Sequence, residues 1–366
     1  MSKNYLSFCK ALTGCSPAAT GEIIIPDDVV IIDQKAFFDC DLIESVVIPD
    51  SVEVIRLEAF SKCSNLESIK FGNGLKRIEP LAFNQCDSLE SIVIPASVEV
   101  IDGSSFSECE SLGSIVVDSK NKVYDSRDNC NAIIETSSNT LIIGCASSSI
   151  PEGVTTVGED SFMGCSSLTE VVIPEGVTEI GNAAFGSCDS LESIVVDSNN
   201  KVYDSRNNCN AIIHTESNTL IAGCKNTIIP ESVTRIGESA FSRCMSLTSI
   251  VIPDSVTRIG DSAFWCCKSL TKVVIPEGVT VIGQSAFVGC TSLTSIVIPD
   301  SVTEIGSIAF DGCTSLTSIV IPDSVTGIGW NAFGKCESLK KVSIPERFKK
   351  HEAKIFGEHT AEITYY

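Results

Sequence analysis

A 23-residue unit recurs eleven times in this chain of 366 residues and constrains its fold more than any other feature. One copy runs from Cys313 to Lys335, CTSLTSIVIPDSVTGIGWNAFGK, and Cys336 opens the next. The cysteines that open the copies are Cys40, Cys63, Cys86, Cys109, Cys165, Cys188, Cys244, Cys267, Cys290, Cys313 and Cys336. Periodicity of this length is typical of solenoids, because each repeat is one coil that buries its apolar face only against neighbouring coils.

Each coil contains two short extended stretches and a turn. In one copy their apolar residues are Leu316, Ile319 and Ile321, then Val325 and Ile328, then Ala332, Phe333 and Cys336. Eleven of the thirteen prolines, from Pro26 to Pro345, follow the first stretch and predict a corner there, since proline ends strand pairing. Seven glycines, from Gly158 to Gly329, follow the second stretch and predict another corner. We expect a helical or 3₁₀ turn at the Ala-Phe-Cys positions.

Two gaps between opening cysteines, after Cys109 and after Cys188, are more than twice the period and mark insertions near 118–149 and 197–227. Both insertions read AII, a polar turn, then TLI, which predicts a β-hairpin. The Asp and Asn cluster over 125–131 lacks the spacing of a calcium loop, so we interpret it as turn-forming. The sequence predicts no metal site and no cofactor.

The repeated motif LxxIxIPxxVxxIGxxAFxxC resembles the BspA-type leucine-rich repeat of bacterial and protist surface proteins. In that family LxxIxIP lines a curved parallel sheet. The resemblance implies a β-rich leucine-rich repeat solenoid with 23-residue coils, a parallel sheet, short 3₁₀ or helical turns and, here, two β-hairpin insertions. It also implies a surface protein that binds partners.

The two ends depart from the repeat, so we expect a solenoid over 20–345 between caps at 1–19 and 346–366. At the start, Tyr5, Leu6, Phe8, Cys9 and Leu12 fit a short helix. A secretory signal fits poorly because Lys10 interrupts the apolar run, yet Leu12 to Cys15 resembles a bacterial lipobox, which leaves lipidation of Cys15 open. Near the end, 346–356 has helix spacing and 362–366 looks extended, which would cover the last sheet edge.

The chain carries 47 acidic and 26 basic residues, a net charge of −21, which argues against a nucleic-acid partner. Part of this acidity follows the corner prolines and should form a ladder along one edge: Asp50, Asp254, Asp300, Asp323, Glu152, Glu175, Glu231 and Glu277. We interpret the ladder as a solvated edge that aids solubility rather than a cation site. No stretch approaches the roughly 18 apolar residues of a membrane span.

Eighteen cysteines leave the compartment open. The eleven repeat cysteines should be small buried residues, because they share one core register. Cys130 with Cys145, and Cys209 with Cys224, are the only pairs whose spacing across the hairpins is compatible with bridges. Many free thiols favour a reducing, cytoplasmic compartment, whereas the resemblance implies the cell surface or secretion.

Nothing in the sequence predicts catalysis. Only His214, His351 and His359 are present, and no phosphate loop, dinucleotide fingerprint or nucleophile elbow occurs. Catalysis needs unlike groups that converge in a pocket, whereas a solenoid supplies like groups in rows. We therefore expect a protein that is not an enzyme.

Outward positions of the first stretch form the candidate binding face: Val93, Val172, Val251, Thr271, Val274, Thr294, Val297, Thr317 and Val320. Good strand formers would occupy these positions in any case, but a continuous apolar stripe exceeds what solvent-exposed sheets need. Trp265 and Trp330 are candidate aromatic anchors. For Trp330, packing under the C-terminal cap is the alternative we favour.

Together these features predict a monomeric, non-enzymatic binding solenoid that recognises a protein or glycan, with adhesion at a cell surface as its setting. The alternative is an intracellular protein-interaction scaffold. The two differ in location rather than in fold.

Overall fold

The computed structural model describes residues 10–14 and 19–366, which form two units, Met1–Ser167 (unit 1) and Leu168–Tyr366 (unit 2). The residues proposed for lipidation and for most of the N-terminal helix, Cys15 and 1–9, lie outside the described residues. Leu12, the last residue of that expected helix, lies in a strand instead.

The strands of unit 1, in chain order, are β1 Ala11–Leu12, β2 Gly21–Ile24, β3 Ile31–Ile32, β4 Ile43–Val47, β5 Val54–Ile55, β6 Ser68–Lys70, β7 Arg77–Ile78, β8 Ser91–Ile94, β9 Val100–Ile101, β10 Ser114–Val117, β11 Tyr124–Asp125, β12 Ile133–Glu135, β13 Thr140–Ile143 and β14 Thr156–Val157. Those of unit 2 are β15 Glu170–Ile173, β16 Glu179–Ile180, β17 Ser193–Val196, β18 Tyr203–Asp204, β19 Ala211–His214, β20 Thr219–Gly223, β21 Arg235–Ile236, β22 Ser249–Val251, β23 Arg258–Ile259, β24 Lys272–Val274, β25 Val281–Ile282, β26 Glu304–Ile305, β27 Ser318–Val320, β28 Gly327–Ile328, β29 Lys341–Ile344 and β30 Glu362–Tyr365. One α-helix, α1, spans Glu352–Phe356, and 3₁₀ segments span Arg127–Asn129, Arg206–Asn208 and Glu346–His351.

Most coils contribute one strand on each side of the corner proline, which we call the front strand and the side strand. Front strands pair in parallel one period apart, as Val46 of β4 pairs with Ile69 of β6. Side strands do the same, as Ile236 of β21 pairs with Ile259 of β23. The predicted parallel-sheet solenoid of 23-residue coils is confirmed.

The turn at the Ala-Phe-Cys positions is a series of 3₁₀-type turns rather than a regular helix, since the N–H groups of Ala59, Ser61 and Cys63 each donate to the carbonyl three residues earlier. The donors between them point to the next coil, as the N–H of Phe60 donates to the carbonyl of Ala82 at 2.7 Å. Residues such as Lys35 (φ 59°) and Asp39 (φ 62°) adopt left-handed backbone conformations on either side of the phenylalanine. A left-handed residue interrupts a regular helix, so local and inter-coil hydrogen bonds alternate along the turn.

Phenylalanine rings and cysteine thiols fill the core in columns. In unit 2 the rings of Phe264 and Phe287 stack with centroids 5.1 Å apart and planes within 5° of parallel. The thiol of each ordinary repeat cysteine donates to a phenylalanine carbonyl one coil earlier, as Cys290 Sγ does to Phe264 O at 3.2 Å. The cysteine is therefore a small core residue that also satisfies a buried backbone acceptor.

Both insertions form the predicted β-hairpins, β12 with β13 and β19 with β20, and each has a further antiparallel strand, β11 or β18. An asparagine that the sequence analysis did not single out, buried in the second insertion and half-buried in the first, attaches each insertion to the preceding coil. Asn200 Nδ2 donates to the carbonyls of Pro174 and Val177 at 2.8 and 2.9 Å, and its Oδ1 accepts the N–H groups of Val202 and Tyr203. Asn121 makes the equivalent four bonds in the first insertion.

The corner glycines allow adjacent coils to pack closely against each other. None of the seven has a positive φ. A Cβ on Gly283 would lie 2.6 Å from the backbone carbon of Gly260, so the predicted corner is present but its physical reason is the approach of adjacent coils.

The C-terminal segment adds one more rung to unit 2. Phe348, Ile355 and Phe356 are buried, and the ring of Phe356 stacks on that of Phe333 at 5.6 Å. Strand β30 then pairs in parallel with β29, as expected for the extended end.

Candidate binding face

The front segments of unit 2 expose one valine per coil; Val251, Val274 and Val320 lie in strands, whereas the coil of Val297 has only an isolated bridge between Ser295 and Lys272. Val251 is 80% exposed, Val274 54%, Val297 74% and Val320 61%, while the adjacent isoleucines point into the core. We call these four residues the valine stripe. Strand alternation explains the arrangement, because the side chains of neighbouring residues point to opposite faces.

A row of threonines lies beside the valine stripe. Thr271, Thr294 and Thr317 are exposed, and Thr271 Oγ1 donates to the carbonyl of Thr248 at 3.1 Å. Thr317 bonds to the carbonyl of Thr294 in the same way at 3.4 Å. The structure thus brings seven of the predicted face residues together, as an apolar row and a hydroxyl row: Val251, Val274, Val297 and Val320 in the first, and Thr271, Thr294 and Thr317 in the second.

The stripe is not continuous, which corrects the sequence prediction. In unit 2 Val172, 51% exposed, pairs with Val195 across β15 and β17, and the enlarged coil of the second insertion then separates Val195 from Ile228, which is 74% exposed and lies one period before Val251. In unit 1 Val93, 57% exposed, has Val116 on one side, and Lys70 holds the same outward position in the preceding coil. The hairpin strands join the side sheet, and no front strand forms in the coil that follows each insertion.

Five further outward positions share the face register and were missed: Ile24, Val116, Val195 and Ile228, which are exposed, and Thr364 on β30. A strict 23-residue offset from Val47, Val172 or Val251 would have found the first four. Thr364 had no such signal, because the C-terminal segment departs from the repeat.

The tryptophans have different environments. Trp330 is 58% exposed, so packing under the C-terminal segment, which we favoured, is wrong. Trp265 is half-buried, and the guanidinium carbon of Arg243 lies 4.8 Å from its ring centroid. That cation–π contact makes Trp265 a partner of its own chain.

Acidic residues follow the prolines beside the valine stripe. Asp254, Glu277, Asp300 and Asp323 are all exposed and occupy the same position of successive turns, and we call them the acidic ladder. Each turn is closed by a backbone bond, such as that from Val302 N to Pro299 O at 3.0 Å. At the last rung Arg347 Nη1 donates to Asp323 Oδ1 at 2.6 Å.

In each insertion, an arginine forms an ion pair with the first aspartate of the Asp and Asn cluster. Arg127 donates Nε and Nη2 to the two carboxylate oxygens of Asp125 at 2.9 and 2.8 Å, and Nη1 to Asn139 Oδ1 at 3.0 Å. The bidentate contact raises the pKa of Arg127. Arg206 and Asp204 repeat this geometry in the second insertion. Among residues 10–14 and 19–366 no cluster of three potential metal ligands occurs.

The proposed hairpin disulfides are absent. Cys130 and Cys145, like Cys209 and Cys224, are free and buried. Cys145 Sγ donates to the carbonyl of Asn131 at 3.4 Å, whereas Cys130 Sγ approaches the carbonyl of Ala132 at 3.9 Å, so the two thiols have different partners. Burial raises the pKa of the Cys244 and Cys336 thiols to about 12, which keeps them protonated and unreactive at neutral pH.

No helix in the described part of the chain is long and apolar enough to cross a membrane.

Comparisons with known proteins agree with this architecture. A sequence model of the BspA-type leucine-rich repeat region matches residues 14–133, 142–219, 218–313 and 280–365. A leucine-rich cell surface protein from Faecalibacterium prausnitzii A2-165 is 27% identical with a TM-score of 0.55, over 95% of this chain and 90% of that one.

Two further solved structures resemble the chain. A leucine-rich repeat protein from Bacteroides ovatus ATCC 8483 is 30% identical over 94% of this chain and 84% of its own, with a TM-score of 0.39. The pneumococcal vaccine antigen PcpA is 21% identical over 91% of this chain and 74% of its own, with a TM-score of 0.46. No curated protein sequence matches the chain significantly.

Proposed function

Because the chain belongs to the BspA-type leucine-rich repeat family, we propose that it is a non-enzymatic adhesion protein whose front sheet binds a protein or glycan at a cell surface. The similarity to a leucine-rich cell surface protein over most of both chains supports the location. The proposed face comprises the predicted residues of unit 2, with Val93 as its counterpart in unit 1.

The exposed valine stripe is the observation that carries this proposal. Four large apolar side chains in successive coils, each more than half exposed, form a contiguous patch. A patch of this kind is a typical protein-interaction site, because its burial by a partner removes apolar surface from water. The hydroxyl row beside it supplies hydrogen-bonding groups for orientation. Trp330 is a further candidate anchor on account of its exposure.

The test replaces Val251, Val274 and Val297 together by lysine. We expect the labelled variant to lose binding to intact cells, measured by flow cytometry, because three charges would have to be desolvated in the contact. Circular dichroism should be unchanged, since the side chains point away from the core. Pretreatment of the cells with protease or with glycosidases distinguishes a protein receptor from a glycan.

The matched control replaces Thr257, Thr280 and Thr303 by lysine. These exposed residues directly precede the side strands and give the same change of charge away from the front sheet. The control should retain binding. If the front-sheet variant binds as well as the unmodified protein, the front sheet is not the site.

An intracellular scaffold is the second candidate, favoured by the thiols. All sixteen cysteines within the described residues are free, which is typical of a reducing compartment. Protease treatment of intact producing cells separates the two, because it degrades a surface protein and spares an internal one.

A further inference from the structure

We propose that the partner segment that docks on unit 2 is a cationic, extended polypeptide that lies along the valine stripe and places basic side chains on the acidic ladder. This inference rests on the proposed function and names the chemistry of its partner. Three observations support it: the carboxylates beside the valine stripe, the contact of the chain's own Arg347 with one of them, and the spacing of the coils.

The first three rungs of the acidic ladder present carboxylates without an ion-pair partner in the described part of the chain: Asp254, Glu277 and Asp300. Each lies three residues after a valine of the stripe, on the turn that ends the front segment. A ligand over the valines therefore has a row of negative charge along one side. Anionic glycans and nucleic acids would be repelled there, whereas a basic partner gains charge complementarity.

Arg347 provides the precedent for such a ligand. Its guanidinium donates to Asp323 Oδ1 at 2.6 Å and to the carbonyl of Val325 at 2.8 Å, and it also contacts the carbonyl of Asp323. One side chain thus satisfies the carboxylate and two backbone acceptors of the turn. The same Pro-acidic-x-Val turn recurs at the three preceding rungs, but there the next coil packs against the carbonyls, as Ser301 Oγ donates to Val279 O at 2.7 Å. The contact of Arg347 that a partner can repeat at those rungs is therefore the one to the carboxylate.

The charges on the other side of the face fix the position of the partner. Lys272 points outward on β24, and Lys340 and Lys341 are exposed at the end of the sheet. These lysines precede the valine positions in their coils, whereas the ladder follows them. A basic segment is therefore attracted to the proline side of the stripe and repelled from the opposite side.

Coil spacing favours one conformation of the segment. Adjacent rungs of a parallel sheet are about 4.8 Å apart, so two rungs span about 9.6 Å. A polyproline II helix has three residues per turn and rises about 3.1 Å per residue, so its turn of about 9.3 Å nearly matches two rungs. An extended strand repeats every ~6.8 Å and an α-helix turns every ~5.4 Å, and neither period matches one or two rungs as well. Basic residues at every third position of a polyproline II segment would therefore lie on one side and contact alternate rungs of the ladder.

The experiment measures fluorescence anisotropy with the whole protein and two labelled peptides of identical composition. One peptide repeats Arg-Pro-Val four times, and the other has its arginines contiguous at one end. We expect the repeating peptide to bind about tenfold more tightly, because only it spreads its ion pairs over several rungs, and its affinity should fall as salt rises.

Two matched variants locate the contact. The first variant combines Asp254→Asn, Glu277→Gln and Asp300→Asn. It should bind the repeating peptide about tenfold more weakly, and the affinity should depend less on salt concentration. Glu179→Gln, Glu238→Gln and Glu304→Gln change the net charge equally at exposed positions of unit 2 outside the ladder, and should leave the affinity unchanged.

Equal loss in both variants would overturn the inference, because attraction would then come from net charge alone. Equal binding of the two peptides would overturn it as well. If the unmodified protein binds neither peptide while lysines at Val251, Val274 and Val297 still abolish cell binding, the front sheet is a binding face for another class of partner. In that case the proposed function stands and the cationic segment does not.

Discussion

Unit 1 and unit 2 build the same coil but treat its exposed positions differently. After the second stretch, the coils of unit 1 before its insertion have charged residues, and Arg56 Nη1 bonds Asp33 Oδ1 of the coil before it at 2.8 Å. Unit 2 has glycines at this register, from Gly181 to Gly329, and in unit 1 only Gly158, after the insertion, matches them. Three residues earlier unit 1 pairs Lys76 with Glu53 at 3.0 Å, whereas unit 2 has threonines that bond to the preceding coil, as Thr280 Oγ1 does to Thr257 O at 3.3 Å.

The backbone is nevertheless paired alike in both units. Arg56 N donates to Ile32 O at 3.0 Å in unit 1, and Gly260 N donates to Ile236 O at 2.9 Å in unit 2. The apolar columns therefore specify the coil, and the exposed positions adjust how it responds to salt, pH and close packing. Surface ion pairs weaken with salt, while hydroxyl-to-carbonyl bonds do so far less.

The largest effect should be the same in both units. Phe60 and Phe287 are fully buried and stacked on both sides. Replacing either by alanine should lower the free energy of unfolding by about 3–5 kcal/mol, because the lost ring leaves a cavity between two neighbours. Urea denaturation checks this. A cost under about 1 kcal/mol in one unit only would break the comparison at its core.

The next effect should occur in the coils with a corner glycine, nearly all of which lie in unit 2. Gly283→Ala should cost about 1–3 kcal/mol, because the new Cβ would meet the backbone of Gly260 at 2.6 Å and Asp261 Oδ1 at 2.5 Å. Arg56→Ala, at the same register of unit 1, is the matched control and introduces no new atom. If both changes shift the denaturation midpoint equally, close packing at the glycines does not distinguish the units.

A pH effect should separate Asp160 of unit 1 from Ser239, its counterpart in unit 2. Desolvation, with a smaller contribution from Glu159, raises the pKa of Asp160 from 3.8 to about 6. The folded state then holds the proton more tightly than the unfolded state, so stability falls as pH rises from about 4 to about 6 and stays reduced above it. Asp160→Ser should raise the thermal midpoint at pH 7 and leave it unchanged at pH 3. A gain of equal size at both pH values would contradict a titrating carboxylate.

The smallest effect concerns the exposed ion pair of unit 1. A side-chain hydrogen bond from Arg56, with a further bond from the backbone N–H of Gln34, lowers the pKa of Asp33. Its contribution is therefore present above the ordinary carboxylate range and is lost as pH falls through the lowered value. Arg56→Ala should slightly lower the midpoint at pH 7 in low salt and not in high salt. For Thr280→Val in unit 2, the change in midpoint should be the same in low and in high salt. If it depends on salt as well, the contrast between ion pairs in unit 1 and hydroxyl-to-carbonyl bonds in unit 2 is wrong.

The sequence predicted the coil, its corners, the buried columns and both hairpins, because these depend on periodicity and on residue type. It predicted the turn but not the hydrogen bonds that the turn makes to the next coil. Ala332 and Phe333 are compatible with a helix locally, and only the neighbouring coil shows that the donor of a phenylalanine such as Phe60 has a partner there. Hydrogen bonds between coils leave no pattern in the local sequence from which they could be predicted.

The candidate face was predicted residue by residue but not as a surface. Alternation placed Val251 and Thr294 outward, and the structure agrees. The interruption after Val195 depends on where the insertion lies in space, which its sequence does not reveal. Likewise, nothing in the composition of the insertions indicated that Asn121 and Asn200 would be their main attachments, since an asparagine in a polar segment ordinarily predicts a turn.

The two attaching asparagines have a consequence for how the chain finds its native alignment. Nearly identical coils could pair one repeat out of step with little loss of contacts, so the columns alone distinguish neighbouring alignments poorly. Asn121 and Asn200 each bond to one particular proline turn, through Pro95 and Pro174 respectively. A slip by one coil would leave a buried amide without its partners, at a cost of about 1–3 kcal/mol for each orphaned group. The two insertions thus act as fixed reference marks in an otherwise repetitive stack, and removing them would create a chain that folds into several competing alignments.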